Sequence, residues 1–268
     1  MKYTDKQIDE FIEKVFNGDI TVDNLPIDLY HAIADKLKSG LYDGYGNSLS
    51  EFKVGGIDYE LLNEMRENIY MFSAAKTYQQ VREMQDILKM NELLTESESF
   101  KDFKEKALEV YDTYNETWLE TEYNTAISQG MAAQHWVEIE KTKQEFPYLQ
   151  YSAIEDERTS DICAPLEGVT LPVDDPFWNK FTPPNHFNCR CLLLQVSKFE
   201  DVEITTEKEA DELADKTDDK MQDVFKMNAG KDGYVFKDDH PYFEVDPKHK
   251  DLAKENFNLP IPKTDETD

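Results

Sequence analysis

The segment Lys143-Gln144-Glu145-Phe146-Pro147-Tyr148-Leu149 separates two kinds of sequence. Upstream of it, apolar residues recur every three or four positions, the period of helices that bury one face. Pro147 cannot continue a helix, because it lacks the N–H and its ring meets the preceding turn. Downstream, prolines crowd the chain, the helical period disappears, and Gly168-Val169-Thr170-Leu171 and Cys191-Leu192-Leu193-Leu194-Gln195-Val196 read as strands. The expected fold is α+β, mainly α. A long-helical N-terminal body covers residues 1–146, and a small, irregular Cys/His domain with short strands covers 147–198. An acidic extension follows over 199–268, with a small hairpin near 224–245.

Working back from Pro147, Ser99 with Asp102 three residues on predicts the cap of a long helix. Phe103, Ala107, Val110, Tyr114 and Trp118 continue its stripe, which runs through Ala126, Ile127 and Val137 despite Gly130. Unbroken, such a helix is about 65 Å long at 1.5 Å per residue, a strut more than the wall of a pocket. Earlier, residues 57–94 carry Leu61, Leu62, Met65, Ile69, Phe72, Tyr78, Val81, Met84 and Leu88 at helical spacing, with a break expected near Ser73. A helix from Pro26 presents Leu29, Tyr30, Ile33 and Leu37 and is expected to end before Gly40, leaving Tyr42 to Gly56 as a loop. Asp43-Gly44-Tyr45-Gly46 lacks the strand before and the Lys-Ser/Thr after that a phosphate loop requires, so it is read as a turn. At the start, Thr4 and Gln7 have the spacing of a capping box, Ile8, Phe11, Ile12, Val15 and Phe16 form the buried stripe, and Asn17-Gly18 stops it. Thr264 to Asp268 are expected to fray.

The net charge is −28, from 57 acidic and 29 basic residues. Nucleic-acid affinity rests on neutralising phosphates with Lys and Arg, so strong, non-specific DNA or RNA binding is disfavoured. The chain is 39% hydrophobic, enough for a core, but no run approaches the roughly 20 apolar residues that span a bilayer. The segment Met1-Lys2-Tyr3-Thr4-Asp5-Lys6 lacks a secretory signal's apolar run, and the expectation is a protein made and retained in a cytoplasm.

All three cysteines and one of the five histidines lie between Cys163 and Cys191. In His186-Phe187-Asn188-Cys189-Arg190-Cys191, extended backbone would point both thiols to one face. His186 would approach from the turn at Pro183-Pro184, and Cys163 would close the set from an earlier loop. Three thiolates and an imidazole make a closed, redox-inert tetrahedral sphere for structural Zn2+. A small domain with little core gains stability from such a staple. Three other readings stay open: separate reduced thiols in a core, a disulfide, or a Cys–His nucleophile pair. A cytoplasmic disulfide is unusual, and the nucleophile reading requires a partly exposed thiolate beside its base.

Asp156-Glu157-Arg158-Thr159-Ser160-Asp161 reads as a local ion-pair and capping cluster, not as a carboxylate pair for acid–base work. His31 and His135 fall on helices as packing or surface residues, and Tyr111, Tyr114 and Trp118 read as core. No catalytic residue is assigned.

From Pro147 to Cys191 the chain resembles the phage Mu F-like head morphogenesis family. The matching residues are Tyr148-Leu149-Gln150-Tyr151, Asp156-Glu157-Arg158-Thr159, Cys163-Ala164-Pro165-Leu166-Glu167-Gly168, Pro176-Phe177-Trp178 and Pro183-Pro184-Asn185-His186-Phe187-Asn188-Cys189-Arg190-Cys191. Upstream, Thr121-Glu122-Tyr123-Asn124-Thr125-Ala126 resembles the family's Arg-Thr-Glu segment, with Glu120 where arginine is frequent. Downstream, Phe225-Lys226-Met227-Asn228-Ala229-Gly230 resembles a turn seen in some members. The resemblance covers roughly Leu119 to Pro241.

This resemblance implies a non-enzymatic minor head protein of a tailed phage or prophage, assembled in the bacterial cytoplasm and carried in the virion. It implies work in capsid assembly near the portal vertex, extending to DNA packaging or ejection, with the portal and other head proteins as partners. The long helices add self-association as an expectation. Two rivals are a delivery or processing module of a bacterial toxin system and a zinc-dependent hydrolase. The latter needs an open coordination position, which a complete Cys3His sphere lacks.

Overall fold

The structure, a computed structural model, describes residues 3–93, 99–154 and 156–263. The fraying expected for Thr264 to Asp268 lies outside the described residues. The architecture is α+β and mainly α: a long-helical N-terminal stretch is followed by a three-stranded antiparallel sheet with irregular surroundings. Helix α1 spans Asp5–Phe16, and its capping box forms as the sequence predicts, with Gln7 N donating to Thr4 Oγ1 and Thr4 N to Gln7 Oε1. Gly18 follows at φ +79°, a conformation that favours glycine.

Helix α2 runs Ile27–Tyr45, through Gly40 and past the expected stop. Its continuation has a tertiary cause. A Cβ on Gly44 would lie 2.0 Å from Ile127 O, and one on Gly130 would lie 2.6 Å from Leu41 O. The two glycines let two helix backbones approach, and that packing outweighs glycine's poor helix propensity of about 1 kcal/mol. The loop is correspondingly shorter and contains a 3-10 turn at Leu49–Glu51.

Helix α3, Ile57–Leu93, passes Ser73 without a break. Ser73 Oγ donates to Ile69 O at 2.7 Å and Thr77 Oγ1 to Ser73 O at 2.8 Å, so both buried hydroxyls are satisfied inside the helix. Helix α4, Phe100–Asp112, starts at the predicted Ser99 cap and passes through a π-helical turn at Thr113–Trp118 into α5, Leu119–Thr142. The long strut is therefore helical throughout its length, but with one wide turn.

Strands β1 (Tyr148–Ser152), β2 (Thr170–Pro172) and β3 (Leu192–Val196) form the sheet in the order β2-β1-β3. Gln150 pairs with Thr170 on one side and with Leu194 on the other. Helix α6, Glu207–Asp218, carries its own capping box at Thr206 and Glu209. No strand occurs near the hairpin expected at 224–245. That segment holds 3-10 turns at Asp223–Phe225 and Pro241–Phe243 around a short helix, α7, Ala229–Asp232. Its apolar residues Phe225, Val235, Phe236 and Tyr242 are buried without the alternation of a strand.

Two compact units emerge, one of Met1–Ser39, Arg66–Tyr123 and His240–Thr267, the other of Gly40–Met65 and Asn124–Asp239. In the first, α1 packs on α4 through Phe16 against Phe100 and Phe103. Its C-terminal segment, which includes α8 (Lys250–Lys254), threads back onto α2 and α3. There Tyr30 OH donates to Pro260 O, Arg66 Nη2 to Pro262 O, and Tyr78 shares a hydrogen bond with His249. In the second, Trp136, Leu149, Tyr151, Cys163, Trp178, Leu193 and Phe225 belong to one apolar core.

Candidate metal centre

Trp178 is fully buried and fixes the loop that leads to the cysteines. Its indole donates to Pro172 O at 2.9 Å, and its carbonyl accepts from Thr182 Oγ1 at 2.7 Å and Asn228 Nδ2 at 3.0 Å. Tyr151, from β1, donates through its hydroxyl to Asn185 Oδ1 at 2.7 Å, which pins the loop a second time. A turn then closes with Cys189 N on His186 O, with Asn188 at φ +57°, a conformation asparagine tolerates better than most residues. Cys189 and Cys191 then turn their sulfurs to one cluster, while Arg190 between them turns to Asp156. Arg190 makes a bidentate pair with Asp156 at 2.8 and 2.6 Å, holding that carboxyl down to about 2. Asp156 also accepts from Arg158 N, and Asp156 N donates to Thr159 Oγ1. The Asp156–Asp161 segment is the local ion-pair and capping cluster its sequence predicts.

Cys163 enters the core just before a 3-10 turn at Ala164–Leu166 and is wholly buried. The Sγ atoms of Cys163, Cys189 and Cys191 lie within 4.8 Å of one another, and Cys163 and Cys189 are 3.8 Å apart. A tetrahedral ion with metal–sulfur bonds of about 2.3 Å holds its sulfurs about 3.8 Å apart, so these three donors fit one. Soft thiolates select zinc and other thiophilic metals over Mg2+ or Ca2+. The thiols are free, and their separation is far above the roughly 2.05 Å of a disulfide. Crowding also divides their acidities. Hydrogen bonds from the Cys163 and Cys191 thiols, then from backbone N–H groups, pull Cys189 well below the usual thiol value. Cys163 is pushed well up by its hydrogen bond to Cys189, its contact with Cys191 and burial.

His186 stands apart from this group. Its Nδ1 lies 2.8 Å from Phe187 O, and neither ring nitrogen joins the three clustered sulfurs. Of the four residues predicted as ligands, the structure brings together Cys163, Cys189 and Cys191, with His186 three residues before Cys189. His135 and Arg190 line a cavity of about 370 Å³ together with Cys189 and Cys191. Burial pushes the pKa of His135 below the usual imidazole value, with the charge of Glu138 opposing it.

Sequence reasoning passed over a second cluster, in the first unit. Lys76 Nζ donates to both oxygens of Glu122, at 2.8 and 2.6 Å, and Tyr242 OH donates to Glu122 Oε1 at 3.0 Å. The Lys76 side chain has no exposed surface. Burial lowers Lys76 and raises Glu122, each opposed by the partner's charge. The available signal was a lysine between Ala74-Ala75 and Thr77-Tyr78, inside a stretch with no solvent face.

Residues 74–194 match the family described as Phage Mu protein F like protein. The chain is 35% identical over 79 residues to "Putative capsid assembly protein F" of Escherichia phage Mu, which covers 30% of this chain and 18% of that protein. It is 34% identical over 83 residues to "Mu-like prophage FluMu F protein" of Haemophilus influenzae, covering 31% and 19%. The chain therefore spans under a fifth of the length of the curated relatives it matches. No solved structure matches it significantly. The resemblance read from the cysteine segment is borne out, over a span that starts earlier than Leu119, takes in both Lys76 and Glu122, and ends at 194, short of the expected Pro241. No helix among the described residues is long and apolar enough to cross a membrane.

Proposed function

We propose that this chain, Mu F-like over residues 74–194, is a minor structural protein of a tailed-phage or prophage head that acts in capsid assembly beside the portal. The observation that carries the reading is the coincidence of the matched region with the thiol cluster and its supporting loop. A relative 35% identical over 79 residues is named a putative capsid assembly protein. Its partners would be the portal and other head proteins, its place the virion head, and its long helices a surface for self-association. It would act as a scaffold part and not as an enzyme.

Within this role Cys163, Cys189 and Cys191 would hold a structural Zn2+, with His186 as fourth ligand after its ring turns away from Phe187 O. The ion would supply a cross-link between the Cys163 turn and the Cys189–Cys191 loop. Cys163 would anchor the site in the core, and Tyr151 and Asn185 would hold the loop's approach. Arg190, paired to Asp156, would keep the intervening residue turned outward.

Quantitative peptide mass spectrometry on purified particles tests the assignment. Detection at a few copies per major capsid set is expected, and absence from particles and head precursors overturns it. Elemental analysis of the purified chain tests the metal separately: one zinc per chain is expected, lost in Cys189→Ser, and a metal-free folded chain overturns it.

A further inference from the structure

The two outer edges of the sheet end differently. On β2, Thr170 turns its backbone groups away from β1, and the chain itself meets both. Thr205 N donates to Thr170 O at 2.9 Å, and Thr170 N donates to Thr205 Oγ1 at 2.9 Å. That edge is closed.

On β3 the register places the free groups. Tyr151 spends its N–H and C=O on the β2 side, bonding Val169 O and Gly168 N at 2.8 and 3.0 Å. Successive residues of an antiparallel strand turn their backbone groups to opposite sides. Tyr148, Gln150 and Ser152 therefore bond Val196, Leu194 and Leu192, their partners across the ladder. The backbone groups of Leu193 and Gln195 consequently point outward, and no other described residue partners them. Edge strands are normally blunted by a charge, a proline or a bulge, because a bare row of N–H and C=O groups templates another strand. Leu192-Leu193-Leu194-Gln195-Val196 has no charge and no proline, and Leu192 and Leu194 stay 52% and 45% exposed. At its start opens the cavity of about 370 Å³, lined by Met131, Trp136, Pro183, Pro184 and Leu192.

We infer that the outer edge of β3 receives an extended strand from a different protein, apolar at alternate positions and flanked by Lys or Arg. Hydrogen bonds to the Leu193 and Gln195 backbones set its register. Leu192 and Leu194 pair with its alternate side chains, and the cavity takes a large apolar residue at its end. Charge selects the occupant. Two copies of this chain bring −28 each to the contact, and Glu200, Asp201 and Glu203 follow the strand. Arg190 and Lys198 flank the strand itself, and the acidic residues begin four positions past its end at Glu200. Against the net charge of −28, basic flanks on a foreign strand are favoured over a second copy. The inference stands on the sheet alone and does not depend on the head-protein reading.

The test is amide hydrogen exchange on the full chain, with a synthetic peptide of alternating valine and threonine between pairs of lysines as the probe. In the chain alone, the Leu193 and Gln195 amides exchange freely while those of Leu192 and Leu194 are protected. Saturating peptide slows the first two by about tenfold or more. Gln195→Pro removes one outward N–H and leaves the β1 ladder intact, since an edge position accepts proline there, and it abolishes the protection. The same peptide N-methylated at alternate residues, tested on the unaltered chain, gives no protection either. The inference is overturned if the probe protects neither amide, or if the N-methylated peptide protects equally. It is also overturned if both amides are already slow in a chain that sediments as a dimer.

Discussion

Lys76 and Cys163 are both fully enclosed, yet each closes its region by a different physical route. In the first unit, long amphipathic helices and packed aromatics enclose one charged group, answered by Glu122 and by the Tyr242 hydroxyl. The apolar core there is extensive, and the ion pair sits inside it as a demand for one arrangement. In the second unit the sheet is short and much of the chain around it irregular, and three sulfurs gather at its apolar core. Burying a charge in helices penalises every wrong packing. Gathering thiols would leave the closure to the proposed ion.

Four experiments sharpen or break this contrast. The largest effect is expected from chelation. Structural zinc contributes apparent binding energies of about 10–16 kcal/mol in small peptides. Stripping the metal should erase exchange protection across β1–β3 and leave α1 and α4 protected; equal loss in both units breaks the comparison. Next is Glu122→Ala, which strands Lys76 without its partner and should cost about 3–5 kcal/mol in urea unfolding. Replacing both, as Lys76→Met with Glu122→Leu, should recover most of that loss. Third, Gly44→Ala puts a Cβ against Ile127 O and should cost about 1–3 kcal/mol, read as a lower urea midpoint. Smallest is the exposed Asp156–Arg190 pair. Because the pair lowers Asp156 from 3.8 to about 2, its contribution is complete above the ordinary carboxyl value and fades as pH falls toward 2. Arg190→Ala should return the carbon-13 titration midpoint of Asp156 toward 3.8, and because the pair is solvent-exposed the loss at neutral pH should be small.

Local chemistry explains what was readable beforehand. Thr4 with Gln7, and Ser99 with Asp102, cap helices because a hydroxyl reaches amides three residues ahead, a relation contained in the sequence itself. The alternate spacing of Cys189 and Cys191 anticipates their shared cluster. Gly44 misled for the opposite reason. Taken alone a glycine signals an end, and only the partner helix shows that it marks a close approach. His186 sits outside the three sulfurs with its Nδ1 on Phe187 O, a local contact that no spacing rule encodes. Lys76 was passed over because lysine at helical spacing usually marks the wet face. Its burial depends on Tyr242 and on aromatic neighbours far along the chain.

Tyr242 lies 120 residues beyond Glu122, and His249 lies 171 beyond Tyr78. During synthesis, α1 through α4 leave the ribosome long before the segment that completes their shared core. The second unit's residues through Asp239 are translated first. Lys76 and Glu122 must wait through that interval with one acceptor site still open to water. Contacts so distant in sequence form slowly, so the unit whose first helix appears earliest is the one finished last.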